Sequence, residues 1–277
     1  MEKEKKGEIR LSPSSIIMME TCAKQYQYRY LLGVRPKVRD RKMLLGDIRH
    51  QAIERIVRTD LPTTVDEPCL TEKERDSINQ EMDAFYRWWM DMGFVPLFFD
   101  DGLPAIELKL EAVHPDDPEI ILVTRLDIAA IDNQDQVWLL DWKSGSTNTS
   151  QIFVDHSDQL TFMQICFEPY LKGMGIDQLD KLGIVDIHGP TKEKPARIKG
   201  PIWTQRRSSI QVADLLKKAI EIKNRILREE FCRTSRYGFN CPCAMCEYEA
   251  LCRSTKNQGE YTLREPGILL PAGLEDL

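Results

Sequence analysis

One stretch limits what this chain can fold into more than any other: Trp138-Leu139-Leu140-Asp141-Trp142-Lys143-Ser144-Gly145. An apolar strand runs into an Asp-x-Lys pair and stops at Ser-Gly. Fourteen residues before Asp141, Asp127 sits inside a second apolar run, Ile120–Ile131. Asp141 and Lys143 stand at i and i+2 of one strand, so their side chains point to the same face. On neighbouring strands, Asp127, Asp141 and Lys143 would set two carboxylates and one ammonium at a sheet edge, the minimum set for a divalent cation and an activated water. A carboxylate among residues that favour burial is costly unless a cation or hydrogen bonds compensate it. For Asp127 taken alone a structural salt bridge is the better explanation, and a surface ion pair explains Asp141–Lys143, so the rest of the chain has to decide.

The flanking segments predict a mixed α/β chain. Ser12 and Pro13 open a helix that continues through Cys22 to Tyr30–Leu32 and ends at Gly33. A basic loop follows, with Arg35, Lys37, Arg39, Arg41 and Lys42. A second helix, Met43–Arg58, carries Ile48, Ala52, Ile53 and Ile56 on one face, with His50 among them. A lone histidine in such a helix is ordinarily a packing residue. Pro62 and Pro68 mark a connecting loop, and Thr71-Glu-Lys-Glu74 is a capping box for a third helix reaching Met92. Pro104–Val113, Ile120–Ile131 and Gln136–Lys143 read as three strands of an antiparallel meander, with turns at Pro115–Pro118 and Asp132–Asp135. Then come a helix over Asp158–Gly173, strands at Leu182–His188 and Arg197–Trp203 around a lysine-bearing loop, and a long basic helix, Ser209–Glu230. The chain divides into 1–58, a helical segment 59–100, a core 101–207 and a C-terminal part 208–277, all within one compact domain.

Net charge is −6, which alone speaks against a nucleic-acid partner, but the distribution is uneven. Residues 1–58 carry +7 and residues 191–236 carry +8, leaving −21 for the rest. Two basic segments around an acidic centre suit phosphate contacts beside a metal site, and solvated helix faces account for the charge equally well. The charged start, Met1-Glu-Lys-Glu-Lys-Lys, is followed by no apolar segment, and no run approaches the roughly 20 residues that span a bilayer. A cytoplasmic protein without a membrane partner is expected. In a reducing compartment the crowded Cys241, Cys243, Cys246 and Cys252 point to thiolate metal ligands, for zinc or for an iron–sulfur cluster.

The order Gly46-x3-His50, Glu107 on a strand, Arg125-x-Asp127, Asp141-Trp-Lys143-Ser-Gly and Gln159 on a helix resembles the PD-(D/E)xK nuclease superfamily. More narrowly it is similar to the RecB-like branch that includes AddB-type nuclease domains and CRISPR-associated adaptation nucleases. Leu11-Ser-Pro-Ser-Ser, Cys22 and Tyr28-Arg-Tyr-Leu-Leu-Gly33 share that similarity. The resemblance implies a restriction-endonuclease-like α/β core, a central mixed sheet flanked by helices, with the N- and C-terminal segments stapled by a metal cluster. It implies His50, Asp127, Asp141 and the backbone carbonyl of Trp142 as ligands of Mg²⁺ or Mn²⁺. Lys143 becomes the catalytic lysine, Glu107 the early acidic residue (with Glu111 on the same strand face as competitor), and Gln159 a group that positions the scissile strand. The branch carries a tyrosine four residues after that glutamine, where this chain has Met163.

The same resemblance implies a 4Fe–4S cluster on Cys22, Cys243, Cys246 and Cys252, with Zn²⁺ as the alternative occupant and Cys241 as a spare or substitute ligand. The expected function is a metal-dependent exonuclease acting on DNA ends or single-stranded DNA. Arg35, Lys37, Arg39, Lys192, Lys194, Arg206 and Arg207 would track the phosphate backbone. The alternative is a DNA-binding or assembly subunit that uses a weakly active nuclease fold. Recombination or CRISPR-adaptation proteins, or a second copy of the chain, are compatible partners.

Overall fold

The computed structural model describes residues 8–37, 41–234, 242–253 and 259–263. In chain order its elements are β1 Ile9–Leu11, α1 Pro13–Thr21, α2 Ala23–Tyr26, β2 Val34–Pro36, α3 Arg41–Thr59, α4 Glu72–Met92, β3 Val95–Pro96, β4 Ile106–His114, β5 Asp117–Ile131 and β6 Val137–Ser144. There follow α5 Gln151–Asp155, α6 Asp158–Leu171, β7 Lys181–His188, β8 Arg197–Gln205, α7 Ser209–Leu227, α8 Glu249–Arg253 and β9 Tyr261–Leu263. No helix among the described residues is long and apolar enough to cross a membrane. Two compact units are present, one of Met1–Arg39, Glu111–Thr124 and Ser209–Leu277, the other of Asp40–Leu110 and Arg125–Ser208. Strands β4 and β5 contribute residues to both.

The second unit holds a mixed sheet flanked by helices, the α/β arrangement expected. Strands β5 and β6 are antiparallel, with Ile128 opposite Leu140 and Ile131 opposite Val137. Strand β7 lies parallel to β6, so the chain must cross over between them, and it does so through α5 and α6. Strand β8 returns antiparallel to β7. All residues of β6 from Val137 to Trp142 are buried, which is why its sequence is a near-continuous apolar run rather than an alternation. Trp138, Leu140 and Trp142 enter a core with Ile53 and Ile56 of α3 and Phe85 and Trp89 of α4. By the two-residue period, Asp141 and Lys143 lie on the other face. The capping box at Thr71 and Glu74 starts α4 as its sequence implies. Within that core Glu81, almost wholly buried, is paired with Arg49 across α3 and α4, so the apolar layer carries one compensated ion pair.

In the first unit β1 pairs parallel with the opening of β5, Ile9 against Ile120 and Leu11 against Leu122. Lys223 of α7 donates to both Asp117 and Glu119 at the start of β5. The long N-terminal helix expected from Ser12 to Leu32 is interrupted. Ser12 caps α1 in a reciprocal box with Ser15, but the helix stops at Thr21 because Cys22 takes an extended backbone, φ −162° and ψ 104°. A short α2 and a π-helical turn, Gln27–Leu31, follow. The break needs no proline or glycine, because the carbonyl of Thr21 accepts a hydrogen bond from the Thr234 hydroxyl instead.

Candidate active site

Side chains from five elements of the second unit, α3, β4, β5, β6 and α6, converge beyond the last paired residues of β5 and β6. His50 comes from α3. Its Nδ1 lies 3.1 Å from Oε1 of Glu107 and 3.6 Å from Oδ1 of Asp127. Asp127 stands one position before Ile128, where the β5–β6 ladder ends, and its Oδ2 accepts the backbone N–H of Trp142 at 2.7 Å. A carboxylate thus takes the place of a ladder carbonyl, and the strands can separate there without leaving that donor unpaired. Glu107 has φ 53°, a left-handed backbone costly for a residue with a Cβ, and it is held by His50 on one side and by Arg125 Nε at 2.6 Å on the other. Glu111, its competitor by strand parity, pairs instead with Arg10.

Asp141 faces the other half of the site. Its Oδ2 is 2.7 Å from Lys143 Nζ, and its Oδ1 accepts from Gln159 Nε2. The Gln159 Oε1 in turn accepts from Lys143 Nζ at 2.9 Å. The amide of Gln159, in the first turn of α6, therefore uses both its ends to fix the carboxylate and the ammonium against each other. Ser157 caps that helix, which sets the glutamine at its start.

The electrostatics concentrate negative charge around Asp127. Asp127 is pushed well above the usual carboxylate range, first by burial and then by the charge of Asp141, against the lowering effect of His50 and of the Trp142 N–H. Burial lowers His50, but the hydrogen bond to Glu107 and the charges of Asp127, Glu107 and Asp141 outweigh it and hold the imidazole above its ordinary value. Burial raises Glu107, and His50 with Arg125 more than reverses this. Burial also works against the Lys143 charge, yet Asp141 prevails and the amine is raised, so Lys143 is an ammonium at neutral pH. One ligand atom each from His50, Glu107 and Asp127 lies within 4.8 Å of the others, a spacing that can hold a metal ion. Glu107, expected as the early acidic residue with Glu111 as competitor, is thus the acid grouped with His50 and Asp127, while both oxygens of Asp141 are turned towards Lys143 and Gln159. Trp142 packs its ring edge-on against Phe85 and Trp88.

A family model described as the PD-(D/E)XK nuclease superfamily matches residues 10–253. The chain belongs to this superfamily. The solved structure titled "Crystal structure of SSO0001" is similar over 90% of this chain and 88% of that one, with TM-score 0.44 and 12% identity. No curated protein matches the chain.

A second constellation lies in the first unit. Cys22, Cys243, Cys246 and Cys252 line one cavity with Tyr28 and Thr234. Burial raises the Cys22 thiol, but hydrogen bonds from the Thr234, Gln25 and Lys24 segments outweigh it and lower the group, the direction that favours a thiolate ligand. Cys246 is raised, chiefly by burial and further by Cys22, Cys243 and Cys252, a mutual repulsion that a bound cation would relieve. Cys241 lies outside the described residues.

The basic residues expected on the phosphate track fare differently. Lys192 and Lys194 are exposed on the loop between β7 and β8, and Lys37 is exposed after β2. Arg35 donates to the carbonyls of Arg29 and Val34, and Arg206 pairs with Glu168. Arg207 is buried, and its guanidinium donates to the carbonyls of Val154, Asp155 and Ser157, so it braces the end of α5 rather than meeting solvent phosphate. Arg39 lies outside the described residues. Sequence reasoning missed Asp186, almost wholly buried, which accepts both the N–H and the hydroxyl of Thr149 and so holds the loop after Lys143. Its signal was the one that marked Asp127, an acid inside an apolar strand.

Proposed function

We propose that the chain is a Mg²⁺- or Mn²⁺-dependent exonuclease acting on DNA ends or single-stranded DNA. The observation that carries the reading is geometric: His50, Glu107 and Asp127 bring ligand atoms within 4.8 Å of one another beside the Asp141–Lys143–Gln159 network. His50, Glu107, Asp127 and Asp141, with the Trp142 carbonyl, would hold the cation, which supplies charge neutralisation at the phosphate and a water of lowered pKa. Asp141 and Gln159 keep the Lys143 ammonium beside that position. Because Lys143 carries its proton, its work is to orient water and stabilise the pentacoordinate phosphate's charge, and proton acceptance falls to other groups. Lys192, Lys194 and Lys37 would add phosphate contacts.

The four cysteines fit a 4Fe–4S cluster that would tie residue 22 to residues 243–252, a structural cross-link far apart in sequence, with Zn²⁺ as the rival occupant. Iron and sulfide analysis together with the visible spectrum separates the two. End-labelled single- and double-stranded DNA, incubated with Mn²⁺ or Mg²⁺, tests the enzyme reading. Lys143→Ala should cleave at least about a hundredfold more slowly than wild type. Equal, slow degradation by both proteins would leave only the rival reading, a nuclease fold used for docking.

A further inference from the structure

The cleft beside Lys143 does not end at the carboxylates. Ser144, Gly145, Thr147, Asn148, Thr149 and Ser150 line it together with Lys143 and Phe153 of α5. Both ends of this wall are fastened to β7. His188 Nδ1 donates to the Gly145 carbonyl at 2.9 Å, and Asp186 takes two hydrogen bonds from Thr149. The short α5 is fastened as well. Val154 is fully buried beneath it, Arg207 holds the carbonyls of Val154 and Asp155, and Gln151 Nε2 donates to the Trp203 carbonyl at 2.9 Å. With Val154 directed inward, its neighbour Phe153 is left 53% exposed and lines the same cleft as Lys143.

An aromatic ring exposed on a braced element that lines the cleft offers a flat apolar face to whatever the cleft binds. Its position selects the occupant. The polar wall and the ammonium suit a sugar–phosphate backbone, and a ring reached from that backbone suits a nucleobase, which stacks on aromatic side chains irrespective of its identity. A paired base within a duplex already has both faces covered by its neighbours, so such a ring engages an unpaired one. We propose that Phe153 is a base-stacking platform of the substrate cleft, and that the strand presented to Lys143 is single-stranded. This rests on the nuclease reading above and narrows its substrate to an unpaired strand.

The test is binding in the absence of turnover, by fluorescence anisotropy with EDTA present, of a labelled thymidine oligonucleotide and of the same backbone lacking bases. Wild type should prefer the base-bearing strand. Phe153→Ala should weaken that strand about tenfold and leave the abasic one unchanged, and Phe153→Trp should restore the preference. The proposal is overturned if Phe153→Ala binds both strands like wild type, if it weakens both alike, or if wild type shows no preference for bases. Cleavage with Mn²⁺ is scored separately, so an inert protein that keeps the Phe153-dependent preference would count against the nuclease reading and not against the platform.

Discussion

Asp127→Asn changes one atom pair in the most strained part of the site and should make the metal-free protein more stable. Asparagine keeps the volume and an oxygen for the Trp142 N–H, and removes the charge that burial and Asp141 oppose. The sign with pH follows from proton linkage. Asp127 holds its proton above the ordinary carboxylate value when folded, so from about pH 4 up to the raised value the folded state binds more protons than the unfolded one, and wild-type stability falls as pH rises. His50, also raised on folding, adds the same sign above about pH 6.5 in both proteins. The variant lacks the Asp127 contribution, so its advantage over wild type should be small near pH 4 and grow towards pH 8. Each tenfold gain in proton affinity on folding corresponds to about 1.4 kcal/mol. A buried carboxylate beside another of like charge gains roughly a hundredfold to a thousandfold, so the stabilisation of the variant is on the order of 2–4 kcal/mol. For a chain of this size that is on the order of 5–10 °C in Tm. Mn²⁺ closes most or all of this gap, because a site occupied at a hundredfold excess over Kd stabilises wild type by about 2.7 kcal/mol while the variant would bind the ion less. Differential scanning calorimetry at both pH values, with EDTA and with Mn²⁺, supplies all four numbers. A variant less stable than wild type at the higher pH in EDTA, or one that answers Mn²⁺ as wild type does, refutes the reasoning.

Gln159→Ala should lower DNA turnover by about 10–100-fold, because the Asp141–Lys143 pair loses the amide that fixes it, while the Mn²⁺-induced rise in Tm persists. Loss of the Mn²⁺ response together with turnover would show that the glutamine supports the whole site. Cys243→Ala should abolish the visible absorbance and lower the melting temperature of the whole chain; absorbance lost at an unchanged Tm would count against a structural cluster. In DNA-binding titrations against salt, Lys192→Ala and Lys194→Ala should each reduce the slope by about 1, whereas Arg207→Ala should keep the slope and cost about 2 kcal/mol or more in stability through its lost bonds to three carbonyls.

Much of this fold follows from local pattern. The apolar run ending in Asp141-Trp-Lys143 forms a strand buried from Val137 to Trp142, and its two-residue period alone sets the acid and the lysine on the face that Gln159 meets. Thr71 and Glu74 cap their helix without outside help, since the bonds they make are three residues long. The partner of a charge is another matter. Parity leaves Glu107 and Glu111 equivalent, and only the left-handed backbone at Glu107 and the arrival of Arg10 beside Glu111 part them. Arg207 looks in sequence like its neighbour Arg206, yet one is buried against α5 and the other pairs with Glu168. The helix expected across Cys22 breaks there because a hydroxyl 213 residues away takes the carbonyl it frees. Periodicity reports which face a residue occupies, a property of the few residues around it. Which charge it meets, and what that does to its proton, depends on contacts that only the folded chain brings together.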